Sequence, residues 1–430
     1  MRSISIRHAN VEGHELVFKK DAFESLRVRL RDGRDADTYK SAYSFVTYLT
    51  EPGLLEHLEE LKEAKWSEKL STVFVVGIGG ANLGSKAVLD AFPKHRSGPK
   101  FIFLDTLYSG ETNEITHHVG ELETKEECLV IIISKSGKTI ETLAGAELLI
   151  STLENKFESI ASRLIVVTSA SSPLHTWAIG GSISTITIPD ALVDRYSVFS
   201  PVGVVPLMFA GLSISDLYAG ALEALNANIG SSIGPAFQAS SAIDANTPDG
   251  RHGVLDLFYF SEQMETVGKW ARQLLAESLG KESTVMGTPL DRSLTPTVSI
   301  GTTDLHSMLQ LYLAQPKERF TWFTTMSKDS ETTIGIPQEL KTLLPNIDNA
   351  TPEHLLAVIY HNIAEIYQER KMPYIRSEID TISERDLGYY MMTVMLVTLG
   401  LAQLWNIDPF TQPNVEEYKD RVRKELSNIT

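Results

Sequence analysis

The chain has 430 residues, of which 43% are hydrophobic and 22% are charged, a balance that is typical of a globular protein. Its formal net charge of −16 disfavours nucleic acid as a partner, because a phosphate backbone would be repelled. The single cysteine, Cys128, excludes an internal disulfide and suits a reducing compartment. The N-terminal residues lack the apolar core of a signal peptide, and the longest apolar run, residues 391–405, is shorter than the ~20 residues of a membrane span. These features predict a cytoplasmic protein without a membrane segment.

The first part of the chain predicts a helical segment followed by an α/β unit. Residues 1 to about 65 are charged and helical in pattern. A short apolar strand then leads directly into the glycine loop, residues 77–84 (GIGGANLG), whose missing Cβ atoms allow close approach to a ligand. On its own this loop also fits an ordinary tight turn. Further strands are predicted at residues 100–104, 128–133, 163–168 and 182–188.

The most informative stretch is residues 128–142, CLVIIISKSGKTIET. A run of β-branched residues ends at Ser134, small and hydroxyl-bearing residues follow, and a helical pattern begins at about Thr139. Free N–H groups and the dipole at a helix N-terminus favour an anion, so residues 134–139, the anion loop, are predicted to bind phosphate. The side chains predicted to line this site or to add positive potential are those of Ser134, Lys135, Ser136, Lys138 and Thr139.

Two familiar phosphate motifs are excluded for the anion loop. A Walker A loop would need a glycine five residues before Gly137, where this chain has Ile132. The dinucleotide fingerprint needs three glycines in order, and this loop has one. An ordinary strand-to-helix turn with capping hydroxyls remains an equal alternative on this stretch alone.

A second α/β unit is predicted after residues 230–249, a polar stretch that we interpret as a candidate linker. Strands are expected at residues 253–260, 319–325 and 373–377, and they alternate with long helical patterns. Glu277 lies near the C-terminal end of the first of these helices, and Arg195 lies in a loop of the first unit. A lone arginine is more often a surface residue than a ligand-binding one. Strands that alternate with helices predict doubly wound, mainly parallel sheets, which bind ligands beyond the carboxyl ends of their strands.

Six patches in order resemble one family, the phosphoglucose isomerases. They are GIGGANLG from Gly77, SKSGKTIET from Ser134, DRYSVFSPVG from Asp194, AESLGK ending at Lys281, TTDLHSMLQ around His306, and QPNVEEYK from Gln412 to Lys419. The resemblance covers about residues 71–419. It implies two sugar-isomerase (SIS) type α/β subdomains with N-terminal helices and a closing C-terminal helix. The predicted divisions are residues 1–65, 66–229, 230–408 and 409–430.

The resemblance implies an aldose–ketose isomerase that interconverts glucose 6-phosphate and fructose 6-phosphate through an enediol, in glycolysis and gluconeogenesis. It implies no cofactor, and the scattered histidines show no metal-ligand spacing. Glu277 matches the base that moves a proton between C1 and C2, and Arg195 matches the arginine that stabilises the enediolate. His306, supplied in the family by the neighbouring subunit, and Lys419 match the ring-opening residues, so a homodimer is expected. The matching substrate-binding positions are Gly79, Gly80, Ser134, Lys135, Ser136, Thr139, Glu141 and Gln412.

Several positions depart from the family pattern. Ala81 stands where serine is usual, Asp194 stands where glycine precedes the arginine, and Lys138 replaces a small or hydroxyl residue. In the last patch Thr411 replaces aspartate and Asn414 replaces glycine. Three alternatives therefore stay open: altered or dual specificity that includes mannose 6-phosphate, a catalytically silent sugar-phosphate-binding protein, and a nucleotide-dependent oxidoreductase.

Overall fold

The computed structural model describes residues 7–9, 20–92, 98–108, 110–230, 233–247, 250–314, 319–327 and 350–426, with four single positions between 328 and 349. The strands are β1 (Arg7–Ala9), β2 (Thr72–Val76), β3 (Lys100–Leu104), β4 (Cys128–Ile133), β5 (Leu164–Ser169), β6 (Ser184–Ile188), β7 (Arg251–Tyr259), β8 (Arg292–Ile300), β9 (Arg319–Met326) and β10 (Tyr374–Ile379). The α-helices are α1 (Glu24–Arg34), α2 (Leu54–Lys65), α3 (Leu83–Ala91), α4 (Glu111–Glu121), α5 (Ile140–Phe157), α6 (Pro173–Gly180), α7 (Pro201–Phe209), α8 (Ile214–Ile229), α9 (Pro235–Ala245), α10 (Glu265–Leu279), α11 (Thr303–Ser307), α12 (Leu309–Ala314), α13 (Pro352–Glu369), α14 (Glu384–Leu404) and α15 (Pro413–Leu426).

The first sheet is parallel throughout and has the strand order β3-β2-β4-β5-β6. Its central strands β2 and β4 are buried along their whole length, as their unbroken apolar sequences predict for a sheet covered by helices on both faces. The chain runs outward in opposite directions from β2 and β4, which makes the gap between them a topological switch point. The glycine loop follows β2 and the anion loop follows β4, so both predicted loops lie at this point.

The second sheet has the strand order β1-β10-β9-β7-β8. Strands β7 to β10 are parallel, whereas β1 pairs with β10 in the antiparallel sense, with Arg7 opposite Arg376. The prediction of a purely helical N-terminal segment is therefore wrong for β1, which extends this sheet. The sequence prediction also missed β8, because Pro296 interrupts its pattern. Proline is tolerated there since β8 is an edge strand, where a missing N–H disturbs no ladder on the outer side.

The predicted linker at residues 230–249 is not a linker in its described part. Residues Pro235–Ala245 form helix α9, with proline at its first position, and most of its residues are buried. The small residues that suggested a flexible stretch are what allow close packing on α14: Ser240 donates a hydrogen bond of 3.0 Å to the carbonyl oxygen of Val397. The predicted division at residue 230, like the other domain boundaries, stays a prediction.

Helix α14 is longer than the sequence suggested. It spans 21 residues and is, in the part of the chain that the structure describes, the one helix long and apolar enough to cross a membrane. However, 89% of its most apolar window is buried inside the protein, where it packs against α8, α9 and α10. The helix is therefore the core element that joins the two units. Its apolar surface faces protein on nearly all sides.

Candidate active site

The anion loop has the geometry of a helix N-terminal anion site. Strand β4 ends at Ile133, and extended backbone at Thr139 leads into the first turn of α5. Gly137 has φ +61°, and a Cβ there would lie 2.7 Å from the Cβ of Leu174, so glycine is required for both conformation and space. Ser134 is buried, and its hydroxyl lies 3.2 Å from the Thr139 hydroxyl, which ties the two ends of the loop together.

The glycine loop packs directly on the turn that carries Arg195. A Cβ at Gly80 would lie 2.4 Å from the carbonyl carbon of Asp194, so a side chain at this position would displace the turn. Gly79 adopts φ +60°, and a Cβ there would approach the side-chain nitrogen of Gln273 to 3.1 Å. The two glycines thus allow the loop, the arginine turn and helix α10 to meet at one place.

Arg195 is not a surface residue, because only 3% of it is exposed. Its Nε donates to the hydroxyl of Ser278 at 3.0 Å. Its Nη1 donates to Glu277 Oε2 at 3.3 Å and to Gln412 Oε1 at 3.1 Å, and Nη2 donates to the Pro409 carbonyl oxygen. The guanidinium therefore joins helix α10 to the segment before α15.

Glu277 lies in the last turn of α10, with its side chain 31% exposed toward a cavity. One carboxylate oxygen accepts from Arg195, and the other accepts from Gln273 Nε2 at 2.8 Å. The two partners come from different elements and hold the carboxylate in a single orientation. A carboxylate fixed beside a buried guanidinium has the geometry for proton transfer next to a developing negative charge.

The cavity has a volume of about 670 Å³ and is covered on one side by α15. It lies at the switch point of the first sheet and extends to the end of α10. Ten of the twelve residues predicted for the site line this cavity: Gly79, Gly80, Lys135, Ser136, Thr139, Glu141, Arg195, Glu277, Gln412 and Lys419.

The other two predicted site residues do not line the cavity within the described structure. Ser134 lies beneath the anion loop and contacts Thr139 instead. His306 is an exposed residue of the short helix α11, which follows β8 in the second sheet. The turn around it is fixed by Asp304, which accepts hydrogen bonds from the Ile300 N–H at 2.7 Å and from the Ser307 hydroxyl at 2.8 Å.

Two residues near the base were missed by sequence reasoning. Gln273 stands four residues before Glu277, and this spacing on one helix face was the signal that could have found it. Lys281 donates to the carbonyl oxygen of Glu277 at 2.8 Å and to that of Thr411, a partner far along the chain that no local pattern indicates. Burial, and next the nearby Arg195 charge, lower the pKa of Lys281 to about 8.

The departures from the family pattern have distinct surroundings. Asp194 Oδ1 lies 3.8 Å from Lys135 Nζ and lines the cavity, as does Lys138. Asn414 donates to Glu282 Oε1 at 3.0 Å, at the start of α15. Within the described residues, no group of three histidine, cysteine, aspartate or glutamate side chains could hold a metal ion.

Comparisons with known proteins agree with this arrangement. The sequence profile described as "Phosphoglucose isomerase" matches residues 55–347. The glucose-6-phosphate isomerase of Leptospira interrogans serovar Lai is 31% identical over 405 residues, which cover 87% of this chain and 85% of that protein. A hypothetical protein from Thermus thermophilus superimposes with a TM-score of 0.82 at 26% identity, over 98% of this chain and 100% of that one. A glucose-6-phosphate isomerase from Chlamydia trachomatis, 20% identical, shares the fold with a TM-score of 0.76 over 94% of this chain and 78% of that one. The chain belongs to the phosphoglucose isomerase family.

Proposed function

We propose that this chain interconverts glucose 6-phosphate and fructose 6-phosphate, and that the reaction takes place in the 670 Å³ cavity. Family membership supports the reaction. One arrangement supports the place: the buried guanidinium of Arg195 meets the carboxylate of Glu277 at 3.3 Å on the cavity wall, away from the anion loop at the start of α5. A sugar phosphate needs these two kinds of group at its two ends.

The phosphate group would bind at the N-terminus of α5. The hydroxyls of Ser136 and Thr139 line the cavity there, and Lys135 and Lys138 supply positive charge against the strongly acidic chain. Gln412 accepts from Arg195 through its Oε1 atom, which leaves its amide N–H groups as donors toward the ligand. Binding far from the reacting carbons orients the sugar for the chemical step.

Glu277 would carry the proton. In the open-chain aldose its carboxylate removes the proton on C2, and the C–H electron pair forms the C1–C2 double bond of an enediolate whose negative charge develops on O1. Arg195 would stabilise that charge. The proton on O2 is lost as O1 gains one, and Glu277 returns its proton to C1, which gives the ketose with atoms and electrons in balance. Gln273 and Arg195 hold the carboxylate in place for both transfers.

Ring opening would need a second copy of the chain. Lys419 lines the cavity, whereas His306 is exposed outside it, so we propose a homodimer in which each subunit supplies His306 to the site of the other. A cytoplasmic location belongs to the same proposal, since the one cysteine is buried and forms no disulfide.

The enediol route is tested by isomerising fructose 6-phosphate in deuterium oxide, with a chelator present. A proton held on a carboxylate exchanges with solvent, so glucose 6-phosphate should carry deuterium at C2. Turnover with no deuterium at C2 would contradict the role of Glu277. Mannose 6-phosphate, tested in parallel, decides the breadth of specificity that Ala81 and Asp194 leave open.

A further inference from the structure

The closing helix α15 has little packing of its own. None of its residues is buried, and apolar side chains such as Val415 and Tyr418 remain exposed. The helix nevertheless places Lys419 on the cavity wall. Because the hydrophobic contribution scales with buried apolar area, this helix gains little stability from its own contacts. Its position therefore depends on residues 408–414, where the chain enters it.

This junction is anchored first by an aromatic contact. The ring of Phe410 lies 4.9 Å from that of Tyr43 and 5.3 Å from that of Tyr196, between the N-terminal segment and the arginine turn. These contacts fix the start of the junction. The next residue, Thr411, is exposed, so the polypeptide would be free to swing at this point without a further contact.

Two cations bind the Thr411 carbonyl oxygen. Lys281 donates to it through Nζ, and Arg195 Nη2 donates to it at 3.4 Å. Lys281 also donates to the carbonyl oxygen of Glu277 at 2.8 Å, so its ammonium joins the last turn of α10 to the junction. Such charge-assisted hydrogen bonds are stronger than neutral ones.

The Lys281 ammonium is held at this place against a cost. Burial lowers its pKa to about 8, and the Arg195 charge acts in the same direction, whereas Asp408 and Glu277 act in the opposite one. Glu282 lies beside it on the wall of a small cavity of about 200 Å³. A half-buried lysine next to an arginine does not improve the packing of the fold, and such perturbed groups are typical of functional sites.

We propose that Lys281 is a positioning residue: it fastens the Thr411 carbonyl to the last turn of α10, and thereby holds Gln412 and helix α15 over the cavity beside Glu277. The link between the proton-carrying residue and the closing helix is then a direct one of two hydrogen bonds from a single ammonium. This inference rests on the proposed function only in assigning Gln412 and Lys419 to the substrate.

The first test is amide hydrogen exchange of the full-length protein without ligand. Lys281→Met removes both hydrogen bonds while keeping an unbranched chain, and we expect faster exchange in peptides from residues 408–426. Lys156→Met is the matched control, because Lys156 Nζ also donates to two backbone carbonyl oxygens, those of Val119 at 3.0 Å and Gly120 at 2.8 Å, far along α5 from the anion loop. It should leave exchange in residues 408–426 unchanged.

The second test is kinetic. Losing a hydrogen bond from a charged donor should raise the KM for fructose 6-phosphate about tenfold in Lys281→Met. The turnover number kcat should fall by less than KM rises, because Glu277 remains in place. Lys281→Arg keeps a charged donor and should restore most of the affinity. A merely structural role would lower the thermal midpoint without this split between KM and kcat.

The outcomes separate this inference from the proposed function. Unchanged exchange in residues 408–426 of Lys281→Met would overturn the positioning role, whatever the activity. If the wild-type chain failed to isomerise fructose 6-phosphate while exchange still increased in Lys281→Met, the proposed function would fall and the positioning role would stand.

Discussion

Arg195 and Glu277 are 82 positions apart in the chain, and their side chains meet at 3.3 Å. The guanidinium is almost fully buried, whereas the carboxylate is partly open to the cavity. The pair joins the first α/β unit to the second, because Arg195 follows β6 and Glu277 lies in the last turn of α10. Any displacement of one unit relative to the other would therefore change the distance between the proposed base and the proposed oxyanion-binding group.

The first prediction is that Glu277→Gln loses turnover but keeps its ligand. The amide has the size of the carboxylate and can still accept from Arg195, but it cannot take a proton from carbon. We expect kcat to fall about a thousandfold, within the range that general-base catalysis contributes. Affinity for an unreactive phosphosugar should change little, which a calorimetric titration can measure.

Glu265→Gln is the matched control for this substitution. Glu265 lies in the first turn of the same helix and pairs with Lys269 at the surface, 2.8 Å away. This variant should retain wild-type kinetics. Near-normal turnover in Glu277→Gln would remove Glu277 from the mechanism.

The second prediction concerns Asp194, which stands where the family has glycine. Its carboxylate lies 3.8 Å from the ammonium of Lys135, with its side chain 55% exposed, and so reduces the positive potential offered to the phosphate. Asp194→Asn should lower KM for fructose 6-phosphate about twofold, since a solvent-exposed ion pair contributes less than about 1 kcal/mol. The effect should shrink as salt is added.

Asp35→Asn provides the corresponding control, because Asp35 pairs with Arg34 and does not line the cavity. It removes the same unit charge and should leave KM unaltered. An increase in KM for Asp194→Asn would mean that Asp194 contacts the sugar favourably.

The site was predictable where the signal was local. The anion loop and the glycine loop each follow a buried strand and contain residues that only such turns need, so their position at the switch point followed from the sequence. The pair of Gln412 with Arg195 and that of Lys281 with Thr411 were not predictable, because each joins residues more than a hundred positions apart. Only tertiary packing brings such residues together.

The fold was predicted less completely than the site. Strand β8 was missed because proline normally excludes a strand, and its edge position could not be known before the sheet order. Helix α9 was taken for a linker because small polar residues resemble loop composition. In both cases a tertiary contact overrode a local preference: the ladder to β7 for β8, and the packing on α14 for α9.

The third prediction concerns the shape of the anion loop. Gly137→Ala places a Cβ 2.7 Å from Leu174 in a residue with positive φ, so the loop must shift. We expect KM for fructose 6-phosphate to rise about tenfold or more and the stability to fall by about 2 kcal/mol, the sum of strain and overpacking. Thermal melting and steady-state kinetics measure the two effects.

Gly53→Ala separates conformational strain from crowding. Gly53 has φ +78°, but a Cβ there meets no atom within 4 Å. Its substitution should cost about 1 kcal/mol through the left-handed backbone alone and leave KM unchanged. Equal thermal shifts in both alanine variants, with equal KM, would show that the anion loop tolerates a side chain at Gly137.

The last prediction uses the lowered pKa of two half-buried or buried lysines. Burial lowers the pKa of Lys281 to about 8, and burial with the neighbouring Arg163 charge lowers the pKa of Lys65 to about 8, from the ordinary 10.5. Between these pH values the unfolded chain binds more protons than the folded one, so each lysine makes the free energy of unfolding increase as pH rises. Solvent screening limits the effect at Lys281 to on the order of 1 kcal/mol.

The measurement is the thermal midpoint of the wild type relative to each variant, from pH 7 to pH 9.5. The difference between the wild type and Lys281→Met should move in favour of the wild type as pH rises, and the same holds for Lys65→Met. Lys281→Arg stays protonated, so its difference from the wild type should show the same trend. Lys65 lies at the end of α2 and donates to the Ser162 carbonyl, away from the cavity, so only the Lys281 variants should also change KM. A pH-independent difference for Lys281→Met would contradict its lowered pKa, and an altered KM in Lys65→Met would mean that the closing helix responds to general stability rather than to the contact at Thr411.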